Sequence, residues 1–287
     1  MVLGGGGSTG NAWLIGVVAG LFDAGVDVTK AELIIGTSAG STASGQLTAA
    51  SIPELFAAST APVPERQAGP ASVGRSTAGA VVDHLERSRK LIEASADAAE
   101  MRRRMGAAAL ARAAESDPAV QQHWRSTVAA RLPSQLWPEQ PVLITAVNAQ
   151  TGESAVFDRY SGVDLVDAVA ASCASGFAYR IGNNQYIDGG YRRNENADLA
   201  LGYERVLVLS PFGGKSLTPE RWGLQLAAQI AELQLAGSKV QTIAPEADAE
   251  HMFGANAMNI SLRPSAAHAG YQQGRALAEL LGDFWVI

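Results

Sequence analysis

A serine flanked by glycines, directly after a short apolar run, most restricts how this chain can fold. Leu33–Ile35 is a continuous apolar run of the kind expected for a buried parallel strand. Gly36–Gly40, with the sequence Gly-Thr-Ser-Ala-Gly, follows it and leads into a segment predicted to be helical to about Ala50, where Pro53 should end the helix. A sharp strand-to-helix turn exposes a serine hydroxyl at the end of the strand, and the flanking glycines avoid collisions there. The pattern predicts a nucleophile elbow carrying Ser38.

A glycine-rich segment at the start of the chain is the second informative feature. Val2-Leu3 predicts a short strand, Gly4–Gly10 a loop, and Asn11–Ala24 a helix with apolar residues at helical spacing. Consecutive glycines allow several backbone N–H groups to point at one place, which suits a phosphate or the oxyanion of a tetrahedral intermediate. The loop also contains G-x-G-x-x-G. Because Glu32 precedes the second strand and no carboxylate follows it to hold a ribose, dinucleotide binding is disfavoured.

A third feature is an aspartate followed by two glycines late in the chain. Asp188 comes directly after a short strand-like segment and precedes Gly189 and Gly190. Asp-Gly by itself indicates an ordinary turn. In a strand end of this kind, however, the carboxylate can also be held in a fixed direction.

The order of predicted elements indicates an α/β fold. Further strands are predicted at 142–147, 154–157 and 205–210, a helix at 165–172 and two more helical stretches near the end of the chain. Strand, loop, helix, strand, turn and helix in succession are typical of a parallel sheet covered by helices.

Residues 61–138 differ from their surroundings. Prolines and glycines between Pro62 and Gly74 predict an irregular link, and alanine-rich charged segments from about Ala78 to Leu132 predict helices with a break at Asp117-Pro118. We interpret residues 1–287 as a single domain in which 61–138 form a helical insertion or cap. Both a helical pair on the surface and a lid over an active site are compatible with this pattern.

Composition excludes several classes of protein. Hydrophobic residues make up 47% of the chain, and Cys173 is the only cysteine, so an internal disulfide is impossible. The net charge of −6 does not fit a nucleic-acid binder. The longest apolar stretch, Ala12–Phe22, is too short to span a bilayer, and no secretory leader is recognisable. We expect a cytoplasmic protein whose membrane contact, if any, is peripheral; the sequence does not indicate its oligomeric state.

Taken together, the glycine-rich loop, the G-x-S-x-G pattern and the late D-G-G resemble the patatin-like phospholipases. Ala171–Phe177, ahead of Asp188, is similar to the small-residue segment that precedes the family's aspartate. The resemblance covers residues 2–50 and 142–209. It implies a patatin-like three-layer α/β/α fold with a central, mostly parallel sheet.

The resemblance also implies a Ser–Asp dyad in place of a Ser-His-Asp triad. Ser38 would be the nucleophile and Asp188 the general base, acting without a metal or an organic cofactor on an acyl lipid or another acyl ester. Backbone N–H groups of the glycine loop would form the oxyanion hole, at Gly5, Gly6 and Gly7. The glycines that support these motifs are Gly10, Gly36, Gly40, Gly189 and Gly190.

Two positions depart from the family's usual pattern. Thr9 stands where a basic residue often precedes the last glycine of the loop, so a charge-assisted oxyanion contact is not expected. Asparagine and proline commonly follow the D-G-G, whereas this chain has Asn194-Glu195-Asn196. We interpret the second departure as variation in a supporting loop.

The sequence is also compatible with several other functions. A conventional α/β-hydrolase would require His251 or His268 as its base, but that fold places several strands before its elbow and only one fits before Leu33–Ile35. We interpret these histidines, like His84 and His123, as surface or packing residues. An acyltransferase or thioesterase could use the same dyad. A protein that binds lipid or nucleotide without turnover is also compatible with the glycine loop.

Overall fold

The computed structural model describes residues 1–62, 77–114 and 118–285. Its strands form one eight-stranded sheet in the order β5-β6-β3-β2-β1-β7-β8, with β4 also paired to β3. The strands are β1 (Val2–Leu3), β2 (Ile34–Gly36), β3 (Val142–Asn148), β4 (Ser154–Phe157), β5 (Tyr179–Ile181), β6 (Asn184–Asp188), β7 (Arg205–Leu209) and β8 (Lys239–Ile243). Strands β1, β2, β3, β7 and β8 are parallel, and β4, β5 and β6 pair antiparallel. The predicted mostly parallel sheet is confirmed.

Helices cover both faces of this sheet. In the described ranges they are α1 (Gly7–Asp23), α2 (Ala39–Leu47), α3 (Ile52–Thr60), α4 (Thr77–Glu93), α5 (Ala98–Ala114), α6 (Pro118–Ala129), α7 (Leu165–Ser172), α8 (Leu226–Leu235) and α9 (Arg263–Trp285). Successive strand residues point to opposite faces, so Leu3 packs in the core with α1, α2, α7 and α9 while Val2 packs with α8. On the α8 side, Met101 and Met105 of α5 pack near Val147. The predicted three-layer arrangement is confirmed.

Helices α1 and α9 pack parallel and very close together. A Cβ added at Gly16 would collide with the carbonyl of Ala267, and one added at Gly274 would collide with the carbonyl of Val17. Residue numbers rise in the same direction along both helices at these contacts. The N-termini of the two helices therefore lie at the same end of the pair.

The glycine loop is shorter than the sequence predicts. Helix α1 begins at Gly7, not at Asn11, and its first backbone bond runs from the Gly10 N–H to the Gly6 carbonyl at 3.0 Å. Apolar residues at helical spacing begin only at Ala12, so the sequence predicts a loop for the glycine-rich first turn. The loop itself consists of Gly4–Gly6.

The helix predicted from about Ala39 to Ala50 ends slightly earlier, and a further helix follows it. Helix α2 ends at Leu47, and Pro53 lies in the first turn of α3, where the missing N–H of proline costs no hydrogen bond. Ser51 caps α3, with its hydroxyl 2.6 Å from Glu54 Oε2. The prediction that Pro53 ends a helix was therefore wrong, because it starts the next one.

The middle of the chain is helical, as its composition indicates. Helices α4, α5 and α6 occupy it, with an interruption between Glu93 and Ala98 that was not predicted, and Pro118 begins α6. The predicted irregular link between Pro64 and Gly74 and the residue Asp117 lie outside the described residues. None of the described helices is long and apolar enough to cross a membrane.

The sequence does not predict strand β8. Its residues, Lys239–Ile243, form the edge of the sheet beside β7. An edge strand can carry polar side chains in place of a continuous apolar run, which removes the signal used to predict the buried strands.

Candidate active site

Ser38 occupies the turn between β2 and α2 in a left-handed backbone conformation. Its φ is +52° and its ψ is −112°, which is strained for a residue with a side chain. Three contacts hold the conformation. The Ser38 N–H donates to Ser172 Oγ at 2.9 Å, and the Ser38 carbonyl accepts from Ser41 Oγ at 2.6 Å and from Cys173 Sγ at 3.1 Å. These contacts keep Ser38 in a strained turn between β2 and α2.

Both glycines of the pentapeptide lie too close to neighbouring atoms to carry a side chain. A Cβ added at Gly36 would lie 2.5 Å from Ser44 Oγ. One added at Gly40 would collide with the carbonyl of Leu3 in β1, far inside van der Waals contact. The turn can therefore pack against the sheet only when these two side chains are absent.

Strand pairing brings Asp188 to the same place as Ser38. Strand β3 pairs with β2 at Ile144 and Gly36, and with β6 at Ala146 and Asp188. Ser38 follows Gly36 by two residues, so the serine and the aspartate are level along β3 although they are far apart in sequence. The Ser38 side chain lies near enough to the Asp188 carboxyl to lower its pKa slightly.

The Asp188 carboxyl is buried, and its pKa is raised to about 6. Burial is the main cause, because the charged form loses its hydration. The Gly190 N–H, 2.8 Å from Asp188 Oδ1, and the Ser38 hydroxyl lower the pKa by smaller amounts. Gly189 packs so closely on Thr145 that an added Cβ would collide with it. The D-G-G turn thus fixes the direction of the carboxyl group.

The glycine loop lies beside Ser38. A Cβ built on Gly5 would be 3.5 Å from the Ser38 Cβ. The Gly5 N–H already donates to the Asn194 carbonyl at 3.0 Å. In the described part of the chain, no acceptor is bonded to the N–H groups of Gly6 and Gly7. These two donors, at the start of α1, are therefore available to an anion in the site.

Asn196 joins the elbow to the aspartate turn, a role that is not evident from the sequence. The residue is fully buried with φ +55°, a conformation that asparagine tolerates better than most residues. Its amide nitrogen lies 2.9 Å from Thr37 Oγ1 beside the serine, 3.3 Å from the Gly189 carbonyl and 2.6 Å from the Arg193 carbonyl. The one sequence feature that could have indicated this role is the residue type, because asparagine is common at positions that need a left-handed backbone conformation. The loop after the D-G-G is a structural tie between the elbow and the aspartate turn.

Asn194 and Glu195 connect the same loop to the glycines. Asn194 Nδ2 donates to the Gly5 carbonyl at 3.2 Å and to Glu195 Oε1 at 2.9 Å. The Glu195 carboxyl is 1% exposed and also accepts from Ser210 Oγ at 2.7 Å and from Gln229 Nε2 at 3.3 Å. These bonds orient Asn194 and hold the glycine loop against the aspartate turn.

Ser38 and Asp188 line a cavity of about 1330 Å³. Much of its wall is apolar, and the helices of segment 61–138 contribute Leu85 and Ile92 of α4, Met101 and Met105 of α5, and Trp124 of α6. Phe177, Phe212 and Phe253 contribute further apolar surface. Such a lining suits an aliphatic chain.

No described histidine is hydrogen-bonded to Ser38 or Asp188. His251 Nδ1 contacts the Asp248 carbonyl at 2.7 Å and His268 Nδ1 the Pro264 carbonyl at 2.8 Å, both on the surface. These contacts are local and give neither histidine a partner in the cavity.

His84 lies in the cavity wall but faces a second serine. Its Nε2 is 3.1 Å from Ser175 Oγ and 3.5 Å from Tyr191 Oη. Burial, followed by the charges of Arg87 and Arg112, lowers the pKa of His84 below its ordinary value, which favours the neutral ring. A serine beside a neutral imidazole is a second nucleophile–base arrangement that an experiment must separate from Ser38.

Comparison with known protein families finds a match over most of the chain. The family described as Patatin-like phospholipase matches residues 1–201 of the chain. The matched range contains the glycine loop, Ser38 and Asp188. A search of curated proteins finds no match.

Proposed function

Because the chain belongs to the patatin-like phospholipase family, whose activity is lipid acyl hydrolysis, we propose that it cleaves acyl esters through an acyl-enzyme on Ser38. The observation that carries the proposal is that the strained Ser38 turn and the buried Asp188 carboxyl lie level on either side of β3 and line the same largely apolar cavity. Asp188 is the general base in this mechanism. A carboxyl with a pKa of about 6 is ionised at neutral pH and is a stronger base than an ordinary aspartate.

In the acylation step, Ser38 Oγ forms a bond to the ester carbonyl carbon as its proton passes to Asp188. The carbonyl oxygen becomes negatively charged and accepts hydrogen bonds from the Gly6 and Gly7 N–H groups, with the N-terminus of α1 adding favourable potential. Collapse of the intermediate breaks the carbon–oxygen bond to the alcohol. The proton held by Asp188 goes to the departing oxygen.

In the deacylation step, water takes the place of the alcohol. Asp188 accepts a proton from the water as its oxygen attacks the acyl carbon, and the same N–H donors stabilise the second intermediate. The bond to Ser38 Oγ breaks, the serine regains the proton, and a carboxylic acid leaves. An acyltransferase or thioesterase would share the acyl-enzyme and differ only in the acceptor or the leaving group.

The apolar cavity supports a lipid as the source of the acyl group. Helices α4, α5 and α6 supply side chains to its wall, so we propose that segment 61–138 acts as a cap over the acyl chain. We propose that this cap, the sheet and the helices that cover the sheet form a single hydrolase domain.

A fluorophosphonate probe tests the proposal because it reacts only with an activated serine. We expect the wild-type protein and Ser175→Ala to be labelled, Ser38→Ala to remain unlabelled, and peptide mapping to place the adduct on Ser38. Labelling lost in Ser175→Ala but kept in Ser38→Ala would assign the chemistry to Ser175 and His84. A folded wild-type protein that is not labelled at all would favour a binding protein without turnover.

A further inference from the structure

Asn194 bonds to both polar groups of the Gly5 backbone. The Gly5 N–H donates to the Asn194 carbonyl at 3.0 Å, and Asn194 Nδ2 donates to the Gly5 carbonyl at 3.2 Å. The Gly6 N–H belongs to the same planar, trans peptide as the Gly5 carbonyl, and in such a peptide the two groups point in opposite directions. By holding the Gly5 carbonyl, the Asn194 side chain therefore sets the direction of the Gly6 N–H.

Gly6 is also held by Pro211. A Cβ added at Gly6 would lie 2.5 Å from Pro211 Cβ, so the loop can pack against this proline only at a glycine. Within the described ranges, no backbone carbonyl or side chain accepts from the Gly6 N–H. Gly6 lines the same cavity as Ser38. An unpaired N–H in a fixed direction beside a nucleophile is the kind of donor that stabilises an oxyanion.

The Asn194 amide uses both of its hydrogens. One bonds to the Gly5 carbonyl and the other to Glu195 Oε1 at 2.9 Å. A backbone carbonyl cannot donate, so the amide nitrogen and not the amide oxygen must face Gly5. The oxygen lies beside the glycine, where a Gly5 Cβ would be 2.6 Å from it. A side chain of the same shape without two N–H donors could not make these contacts.

The Glu195 carboxyl holds Asn194 from a buried position. It is 1% exposed, and its three hydrogen-bond donors in the described residues, Asn194, Ser210 and Gln229, are all neutral. Burial of an acidic group among neutral donors costs free energy. Glu195 also lies under the glycine loop, with its Cγ 3.3 Å from the position of a Gly4 Cβ. A negative charge there would oppose an oxyanion, so Glu195 contributes as a hydrogen-bond acceptor and not through its charge.

We propose that Asn194, held by Glu195, is a positioning residue of the oxyanion hole, which keeps the Gly6 N–H directed at the developing oxyanion. The inference rests on the proposed function, since the oxyanion forms only when Ser38 attacks an ester. The carbonyl oxygen gains its charge in the transition states of both acylation and deacylation, so the Gly6 N–H contact is stronger there than with bound substrate. Loss of the Asn194 side chain should therefore lower kcat and change KM little.

Hydrolysis of p-nitrophenyl octanoate gives kcat and KM separately. We expect Asn194→Ala to lower kcat about 30-fold with KM within about threefold of wild type. Asn194→Asp keeps the shape but removes the donors, so it should lose at least as much, whereas a role in packing alone would tolerate it. The control is Asn148→Ala, since Asn148 also holds a turn, at Gln150 and Thr151, but does not line the cavity. Unchanged kcat in a folded Asn194→Ala, or a loss through KM alone, would overturn the proposal.

Substitutions of Glu195 test the second step of the proposal. Glu195→Gln retains an oxygen that can accept from Asn194, so its kcat should stay within about threefold of wild type. Glu195→Leu removes the acceptor, and we expect kcat to fall about tenfold with little change in KM. Equal losses in the two variants would show that Glu195 does not act as an acceptor for Asn194.

A trifluoromethyl ketone with an octyl chain measures the oxyanion contact directly. Ser38 Oγ adds to its carbonyl carbon, the proton passes to Asp188, and the former carbonyl oxygen carries the negative charge. We expect its inhibition constant to rise about 30-fold in Asn194→Ala, in parallel with the fall in kcat/KM. The dissociation constant of uncharged 1-octylglycerol should stay within about twofold, because this ligand forms no oxyanion. Equal weakening of both ligands would show that Asn194 only shapes the cavity and would refute the positioning role.

The same measurements separate this proposal from the catalytic one. A folded wild-type protein that neither hydrolyses the ester nor is inhibited by the ketone would refute the proposed function and the inference with it. A wild-type protein that does both, together with an equally active Asn194→Ala, would refute the positioning role alone and leave Ser38 as the nucleophile.

Discussion

Replacing the Asp188 carboxyl with an amide should stabilise the protein while it abolishes activity. A rise in the folded-state pKa from the ordinary 3.8 to about 6 means that the ionised carboxylate costs ~3 kcal/mol in the folded protein. In Asp188→Asn the charge is absent, and the amide oxygen can still accept the Gly190 N–H. The changed contact with Ser38 offsets part of the gain, so we expect Asp188→Asn to be about 2 kcal/mol more stable than wild type at pH 8.

The stability advantage of Asp188→Asn over wild type should increase as the pH rises. Between pH 3.8 and about 6 the unfolded chain has already released the Asp188 proton while the folded protein still holds it, so wild-type stability falls as pH rises through this window. Asp188→Asn has no ionisable group at this position, so its stability does not fall in this way. The stability advantage of Asp188→Asn should therefore grow by about 1.4 kcal/mol from pH 5 to pH 8.

Urea unfolding at pH 5, 6, 7 and 8 measures this difference. Asp248→Asn is the control, because it makes the same chemical change at an exposed aspartate. It should show no comparable trend. If Asp188→Asn proves no more stable than wild type at pH 8, or if its advantage does not change with pH, the explanation of the Asp188 pKa by burial is incorrect.

Three further predictions address the geometry of the site. The kcat/KM for a neutral ester should fall as pH drops through about 6, since Asp188 must be ionised to act as base, and a flat profile from pH 5 to 8 would contradict that role. Gly40→Ala should lower the unfolding free energy by at least about 2 kcal/mol in urea because its Cβ collides with β1, whereas Gly282→Ala, on α9 with its nearest neighbour at 3.7 Å, should not. Asn196→Ala should slow fluorophosphonate labelling about tenfold by releasing the turn, and unchanged labelling would show that the tie is dispensable.

Local patterns made part of this structure predictable. The apolar run and flanking glycines around Ser38 specify a strand, a turn and a helix because steric demands act between neighbours in sequence. Gly36 and Gly40 are needed because the turn packs closely against α2 and β1 at these two positions. Asp188 was assigned by family resemblance, since its sequence alone indicates only a turn.

Features set by distant contacts could not be predicted in the same way. The start of α1 depends on the Gly10–Gly6 bond and on packing within a glycine-rich segment that carries no apolar periodicity. The roles of Asn196 and Glu195 depend on β3 and α8, which bring partners from elsewhere in the chain. The close packing of α1 against α9 depends on glycines in both helices, and no local pattern encodes that contact.

The catalytic role of Ser38 and Asp188 without a histidine is tested most directly by a protein that contains no histidine at all. The chain has only four, at His84, His123, His251 and His268, so a quadruple variant with His84→Gln and alanine at the other three positions is feasible. After circular dichroism shows that the variant is folded, its hydrolysis of a p-nitrophenyl ester is compared with wild type. We predict a rate within about tenfold of wild type, because histidine takes no part in proton transfer. A folded histidine-free protein with no hydrolysis above background would contradict the Ser38–Asp188 mechanism.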